Sequence, residues 1–537
     1  MVGVMIAVAL TLTGSSLMVA GVTYNFADAC VAGPPCECYK KTEYTKDEPD
    51  GFEVSVLDCS DKRISAVPFF RQLENVTVDR VFLQNNRIAV VPKDAFFGLS
   101  ASLIDLSGNK IDTIEENAFR GLETRLTTLR LGSNRLSTWP ISAVSSLESL
   151  QTLDLLSNEE IYQLPWNSFR GLTSLRKLDL GNCAEGFQIH DEAFEPIQET
   201  LKQLMLHHCA LTEVPKALSV LGNVEILRLP RNRFSSLTSE SFQGLHSLKT
   251  LDLTGNANLS SSESFPPDSF AEVGETLELL DLTGIGLTRI PTIFTPLEKL
   301  KSLYLSRNQI SSIERGTFSV LTSLEKLYID NNPLDYSQGM FDGLKESLTF
   351  IKVASQNISR LPNPELTSLR GLRTVDASHN AFGELPGDFA EGIPATDYHL
   401  SNSDITKISP TAFSGKSSQV SLTLQGNSLE TLDFVQDPCY YWRIDVTDNP
   451  ILCDCHTYRL SKYPHLLVKG TCAKPDFVEG LAIGSTEFDN TMYWRCVDHF
   501  FEDTKLCSKW WLSAGSWVRQ SPATITLSLL TVLSFLR

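Results

Sequence analysis

The 537-residue chain holds few groupings of side chains that could do chemistry. Cysteine is the clearest: twelve fall as Cys30, Cys36, Cys38 and Cys59, then Cys183 and Cys209, then Cys439, Cys453, Cys455, Cys472, Cys496 and Cys507. An even number grouped toward both ends points to disulfide-bonded terminal modules in an oxidising compartment. The run His207-His208-Cys209 offers metal-ligating residue types. Read as a strand, its neighbouring side chains point to opposite faces and cannot converge on one ion. No glycine-rich phosphate loop, G-x-S-x-G elbow or H-E-x-x-H helix occurs, and nothing pairs two carboxylates in an apolar cleft. The expectation is no catalytic residue, no metal and no cofactor. A formal charge of −18 and a pI near 5.0 would repel phosphate backbones, which argues against nucleic acid as a partner.

The elements that position these residues follow from a repeat. The pattern L-x-x-L-x-L-x-x-N appears as Leu126, Leu129, Leu131, Asn134 and again as Leu150, Leu153, Leu155, Asn158. Its last position recurs sixteen times: Asn86, Asn109, Asn134, Asn158, Cys183, Cys209, Asn232, Asn256, Ile285, Asn308, Asn332, Gln356, Asn380, Ser403, Asn427 and Asn449. The intervals are 22 to 26 residues, with one of 29. In the L-x-L core both leucines point inward and the residues beside them outward, so each unit supplies one short strand. The Asn amide can bond backbone groups of the turn that leaves the strand, and the turns stack into a ladder. A second column, Phe119, Phe169, Phe194, Phe242, Phe270, Phe318, Phe341, Phe389 and Phe413, would stack as an aromatic spine on the return side.

No unit can bury its apolar face alone, and the two ends of such a stack need covering. The terminal cysteine groups sit where covers are needed. Cys183 and Cys209 occupy one position of consecutive units. With neighbouring strands about 4.8 Å apart a bridge is within reach, but the reading taken is two buried free thiols replacing ladder asparagines.

Cys30, Cys36-Glu37-Cys38 and Cys59 before the first unit resemble the N-terminal cap of extracellular leucine-rich-repeat proteins. Asn449-Pro450-Ile451-Leu452-Cys453-Asp454-Cys455, with Cys472 and Cys496, resembles their C-terminal cap. Over about residues 30 to 500 the chain resembles the typical-length, cysteine-capped class that includes Slit-like, connectin-like and chaoptin-like proteins. The resemblance implies an α/β solenoid: a leucine-rich-repeat horseshoe with a parallel concave β-sheet and disulfide-capped ends. It further implies the pairs Cys30–Cys38, Cys36–Cys59, Cys453–Cys472 and Cys455–Cys496. Cys439 and Cys507 depart from the family pattern and are predicted to bond to each other.

The organisation expected is a signal peptide over 1–29, an N-terminal cap over 30–77, about sixteen repeats over 78–449, a C-terminal cap over 450–512 and a lipid-attachment signal over 513–537. The first 39 residues lack Lys and Arg, and apolar runs at Val2–Leu12 and Leu17–Val22 read as a secretory signal cleaved between about residues 21 and 29. The tail Ile525–Leu536 is twelve apolar or small residues, whereas a spanning helix needs about 20. Ser513-Ala514-Gly515, the spacer Ser516–Thr524 and that tail match a glycosylphosphatidylinositol (GPI) signal, with Ser513 as the attachment residue. Glycosylation sequons begin at Asn75, Asn258 and Asn357.

Sixteen strands at about 4.8 Å would span roughly 75 Å, which suits a protein ligand. The central outward column reads Phe82, Asp105, Arg130, Asp154, Asp179, Met205, Arg228, Asp252, Asp281, Tyr304, Tyr328, Lys352, Asp376, His399, Thr423, Asp445. The aspartates read as scaffold that keeps the face soluble. Tyr304 and Tyr328, with Lys326 and Phe350 one column over, form an aromatic and cationic cluster of hot-spot chemistry. A weaker second cluster is Met205, His207, Ile226 and Arg228. The function expected is non-enzymatic recognition of an extracellular protein ligand or co-receptor, by a protein lipid-anchored to the outer face of the plasma membrane or secreted. The alternatives are a secreted matrix scaffold and the non-catalytic subunit of a secreted enzyme. Oligomeric state is not readable.

Overall fold

A computed structural model of the chain describes residues 35–43, 50–68, 78–291, 293–416, 419–436, 441–463 and 465–496. It divides into two compact units, Met1–Asp281 and Leu282–Arg537. In the first, nine short strands from Arg80–Phe82 to Leu279–Asp281 pair in parallel, one per repeat. In the second, seven strands from Ser302–Tyr304 to Tyr441–Asp445 do the same. Both units are leucine-rich-repeat solenoids, the fold the repeat predicts.

Each strand places one apolar side chain inward. Val81, Ile104, Leu129, Leu153 and Leu178 are fully buried in the first unit, as are Leu303, Leu327, Ile351 and Val375 in the second. Each such burial stabilises by about 1.5–3 kcal/mol. Tyr398 takes the same inward position and is also fully buried; its hydroxyl donates to the Ala395 carbonyl at 3.0 Å.

The strands are short because each repeat turns sharply at its asparagine. The residue before every one of the sixteen ladder positions has a left-handed backbone, from Asn85 (φ 58°) and Gly108 (φ 65°) to Gly426 (φ 67°) and Asp448 (φ 57°). That kink swings the next side chain inward, and the amide there joins successive turns. Asn308 Nδ2 donates to the carbonyls of Leu305 (2.9 Å) and of Leu282 one turn back (3.0 Å), while its Oδ1 accepts from Gly286 and Leu287 N–H. Asn109, Asn134, Asn332 and Asn427 repeat this arrangement. Gln356, one methylene longer, still reaches the Ile329 carbonyl at 2.7 Å, and the Tyr336 hydroxyl donates to its Oε1.

Cys183 and Cys209 correct the reading of free thiols, because the structure joins them in a disulfide. Both occupy the ladder position of adjacent turns, each after a left-handed residue (Asn182, His208), so their side chains leave the backbone in the same direction with Cα atoms 4.5 Å apart. The same geometry corrects the account of His207-His208-Cys209. The strand there is Gln203–Met205, and the triplet lies in the turn beyond it. Among the described residues no group of His, Cys, Asp or Glu could hold a metal.

Cap strands extend the parallel sheet in each unit. Glu37–Glu43 pairs antiparallel with Phe52–Asp58, which pairs parallel with Arg80–Phe82, and Cys36–Cys59 ties the hairpin to the first turn. In the second unit Leu467–Lys469 pairs parallel with Arg443–Asp445, and Cys453–Cys472 and Cys455–Cys496 hold two helices against the array, Cys455–Leu460 and Thr486–Cys496. Cys38 is disulfide-bonded, while Cys30, Cys439 and Cys507 lie outside the described residues. On the return side the nine phenylalanines of the spine are buried; Phe169 stacks on Phe194 at 5.5 Å and Phe242 on Phe270 at 5.6 Å. Phe96 and Phe294 also join the spine, and Trp139 packs edge-on against Phe169. Phe294 and Trp139 escape the sequence pattern because Pro296 replaces the glycine in one repeat and the other supplies tryptophan in place of phenylalanine; Phe96, in Phe96-Phe97-Gly98-Leu99, keeps the spacing and was legible.

A candidate recognition face

The last residue of each repeat strand points away from the core, and the parallel register aligns these residues into columns. Tyr304 pairs with Tyr328, Tyr328 with Lys352, Lys352 with Asp376, and Asp376 with His399. In the first unit Phe82, Asp105, Arg130, Asp154 and Asp179 align in the same way.

The aspartates of this column have a structural duty beyond solubility. Asp105, Asp154, Asp179, Asp252, Asp376 and Asp445 each accept from the backbone N–H two residues on, at 2.9–3.1 Å. A short carboxylate there satisfies the first donor of the turn that leaves the strand. Burial raises the pKa of Asp154, an effect that the nearby Asp179 carboxylate reinforces. Arg130 lies 3.1 Å from Asp105. His207 lies 3.9 Å from Asp179, its ring filling the space above Gly181, where an added Cβ would approach it to 2.2 Å.

Tyrosine cannot perform that duty, so the repeats carrying Tyr304 and Tyr328 have exchanged a turn-capping carboxylate for an aromatic ring. The two rings stack 4.1 Å apart at 5°, and Tyr328 meets Phe350 at 5.1 Å. All three are half-buried, so each keeps an accessible surface. Identical residues in register on parallel strands can share a rotamer, which is why the stack forms; such pairs add about 0.5–1.5 kcal/mol beyond area burial. Lys326 is exposed and pairs in register with Phe350. Lys352 lies 3.3 Å from Asp376. His399 stands 3.7 Å from Asp397, and the attraction between imidazole and carboxylate raises the histidine and lowers the aspartate.

The structure thus brings Tyr304, Lys326, Tyr328 and Phe350 together. Of the second cluster, Met205 and Arg228 pair in register, as do Gln203 and Ile226, but His207 is engaged with Asp179 and Gly181. Asn258 and Asn357 are exposed, whereas Asn75 and Ser513 lie outside the described residues.

Comparison with known proteins agrees with this architecture. A family model described as Leucine rich repeat matches residues 77–123, 124–184, 199–261 and 275–334. Mouse podocan is 31% identical over 147 residues, covering 27% of this chain and 23% of podocan. Human podocan-like protein 1 is 29% identical over 241 residues, 44% of this chain and 40% of that protein. Chicken Toll-like receptor 2 type-1 is 32% identical over 152 residues, 28% of this chain and 18% of the receptor. The chain therefore spans well under half the length of each of these relatives. Among solved structures, that of a TLR13–ssRNA13 complex is similar with a TM-score of 0.58 at 20% identity, over 81% of this chain and 70% of that one. The Toll–Spatzle complex of Drosophila gives 0.50 at 17% identity, over 85% and 76%. At these identities the structures bear on fold alone. The chain carries leucine-rich repeats over the matched residues and is similar to these leucine-rich-repeat proteins. Among the described residues, no helix is long and apolar enough to cross a membrane.

Proposed function

We propose that this protein is a non-enzymatic recognition protein at the cell exterior, binding a protein ligand or co-receptor through the sheet face around Tyr304, Lys326, Tyr328 and Phe350. The observation that carries the reading is the stacked, half-exposed aromatic row, set where other repeats place turn-capping aspartates. Large rings beside a lysine are the residues that supply most binding energy at protein interfaces. The family supports the reading, since the relatives named above include a Toll-like receptor and podocans. Adhesion or receptor-type binding is the specific role assigned, with attachment to the outer leaflet through a lipid at Ser513.

Two experiments test it. Changing Tyr304 and Tyr328 together to Ala should weaken capture of the ligand from a cell-surface preparation by more than about 1 kcal/mol, a factor of five or more, while the thermal midpoint stays within a few degrees. Unchanged affinity would remove the aromatic row from the interface. A phosphatidylinositol-specific phospholipase should release the protein from intact cells; retention on the cells would reject the anchor, and recovery from the medium without enzyme would favour the secreted scaffold.

A further inference from the structure

The C-terminal cap carries a second aromatic patch that the recognition face does not use. The helix Thr486–Cys496 buries Phe488, Met492 and Cys496, a stripe at every fourth residue, and the Cys455–Cys496 bridge pins its last turn. Tyr493 and Trp494 lie off that stripe, 47% and 80% exposed, with their rings edge to face 5.0 Å apart. Beside them the Arg495 guanidinium lies over the Phe477 ring, 4.0 Å from its centre, and Phe477 is itself 45% exposed. Single exposed apolar residues are ordinary; three large rings and an arginine gathered at one helix end are the chemistry of a contact surface.

We propose that this patch rests on the zwitterionic headgroup layer of a phospholipid membrane, with Trp494 and Tyr493 at the depth where headgroups meet acyl chains. The inference builds on the lipid-anchor reading given above. Three observations select this occupant. Tryptophan and tyrosine favour the bilayer interface because an apolar ring there carries a polar N–H or O–H that stays wet, and an arginine stem can lie along the same boundary. Charge points the same way: residues 450–496 contain five cationic and five acidic side chains, a neutral cap on a chain of charge −18. A neutral surface is not driven off by a headgroup layer, while the acidic remainder has no attraction to it. The third is position, since Ser513 follows Cys496 by 17 residues, a tether of at most about 60 Å when fully extended, so an anchored chain can bring the cap to the bilayer.

The test mixes the full chain with phosphatidylcholine vesicles whose acyl chains are brominated near the headgroup, which quenches tryptophan at that depth. The expected result, in a chain whose Trp510, Trp511 and Trp517 are changed to Phe so that tryptophans beside the anchor do not report, is quenching that is largely lost on adding Trp494→Phe, and at least threefold less vesicle-bound protein for Trp494→Asp. Both substitutions leave the stripe of Phe488, Met492 and Cys496 intact. Equal quenching in Trp494→Phe would overturn the proposal. So would shielding of Trp494 from acrylamide that grows with protein concentration in the absence of vesicles, which would assign the patch to a second copy of the chain. The two readings fail separately. Release by phospholipase with no Trp494-dependent quenching overturns the cap contact alone, and Trp494-dependent quenching without phospholipase release overturns the anchor alone.

Discussion

The two units use one turn geometry and put different chemistry on its outward face. From Asp105 to Asp281 the column is dominated by aspartates, and most of these bond the turn that follows them. From Tyr304 to His399 it reads Tyr, Tyr, Lys, Asp, His, with the aromatic stack at one end and two ion pairs at the other. The inward residues hardly differ between the units, being leucine, isoleucine and valine in nearly every turn. Scaffold and recognition are therefore separable at the level of single strand positions: the centre residue holds the fold, and the residue after it is free to vary where a repeat can forgo its turn-capping carboxylate.

The ladder offers the sharpest way to break that comparison, because the first unit contains a disulfide where its neighbours hold amides. Replacing Cys183 and Cys209 together by Ala opens a link across 26 residues and should cost about 3.5 kcal/mol in chemical denaturation. Replacing both by Asn should recover part of that loss by restoring ladder amides; if the Asn pair is no better than the Ala pair, the two fillings are not equivalent. Asn308→Ala, in the second unit, removes an amide serving five backbone partners, and should cost about 3 kcal/mol because buried peptide groups are left unpaired. Its checkable signature is local: hydrogen exchange at Gly286 and Leu287 should rise before that of distant turns.

The smallest effect concerns His399 and Asp397. Their attraction holds the histidine above its ordinary 6.5, so that contribution to stability is whole below 6.5 and is lost as pH rises through the raised value. It holds the aspartate below its ordinary 3.8, a contribution present above 3.8 and lost as pH falls through the lowered value. The pair thus helps most between those limits. Both groups are more than a third exposed, so the gain is under about 1 kcal/mol. A pH series of thermal midpoints should show a shallow maximum in mildly acidic solution that His399→Gln flattens; an identical profile in the variant would remove the pair from the account.

Much of this was legible in the residues alone. A leucine at a fixed spacing can be satisfied only by a shared interior, and an asparagine at the turn only by backbone groups that a stacked neighbour supplies, so periodicity by itself determined the solenoid, its ladder and the alignment of Tyr304 with Tyr328. Three matters were decided in tertiary structure. Whether Cys183 and Cys209 bond depends on the direction in which two kinked turns release their side chains, and no spacing encodes direction. The aspartates' bonds to the turn beyond the strand, and the failure of His207, His208 and Cys209 to lie on a strand at all, depend on backbone angles that adjoining turns impose. The exposure of Trp494 follows from which stripe of its helix the cap disulfide and core accept, a choice made by packing between segments far apart in the chain.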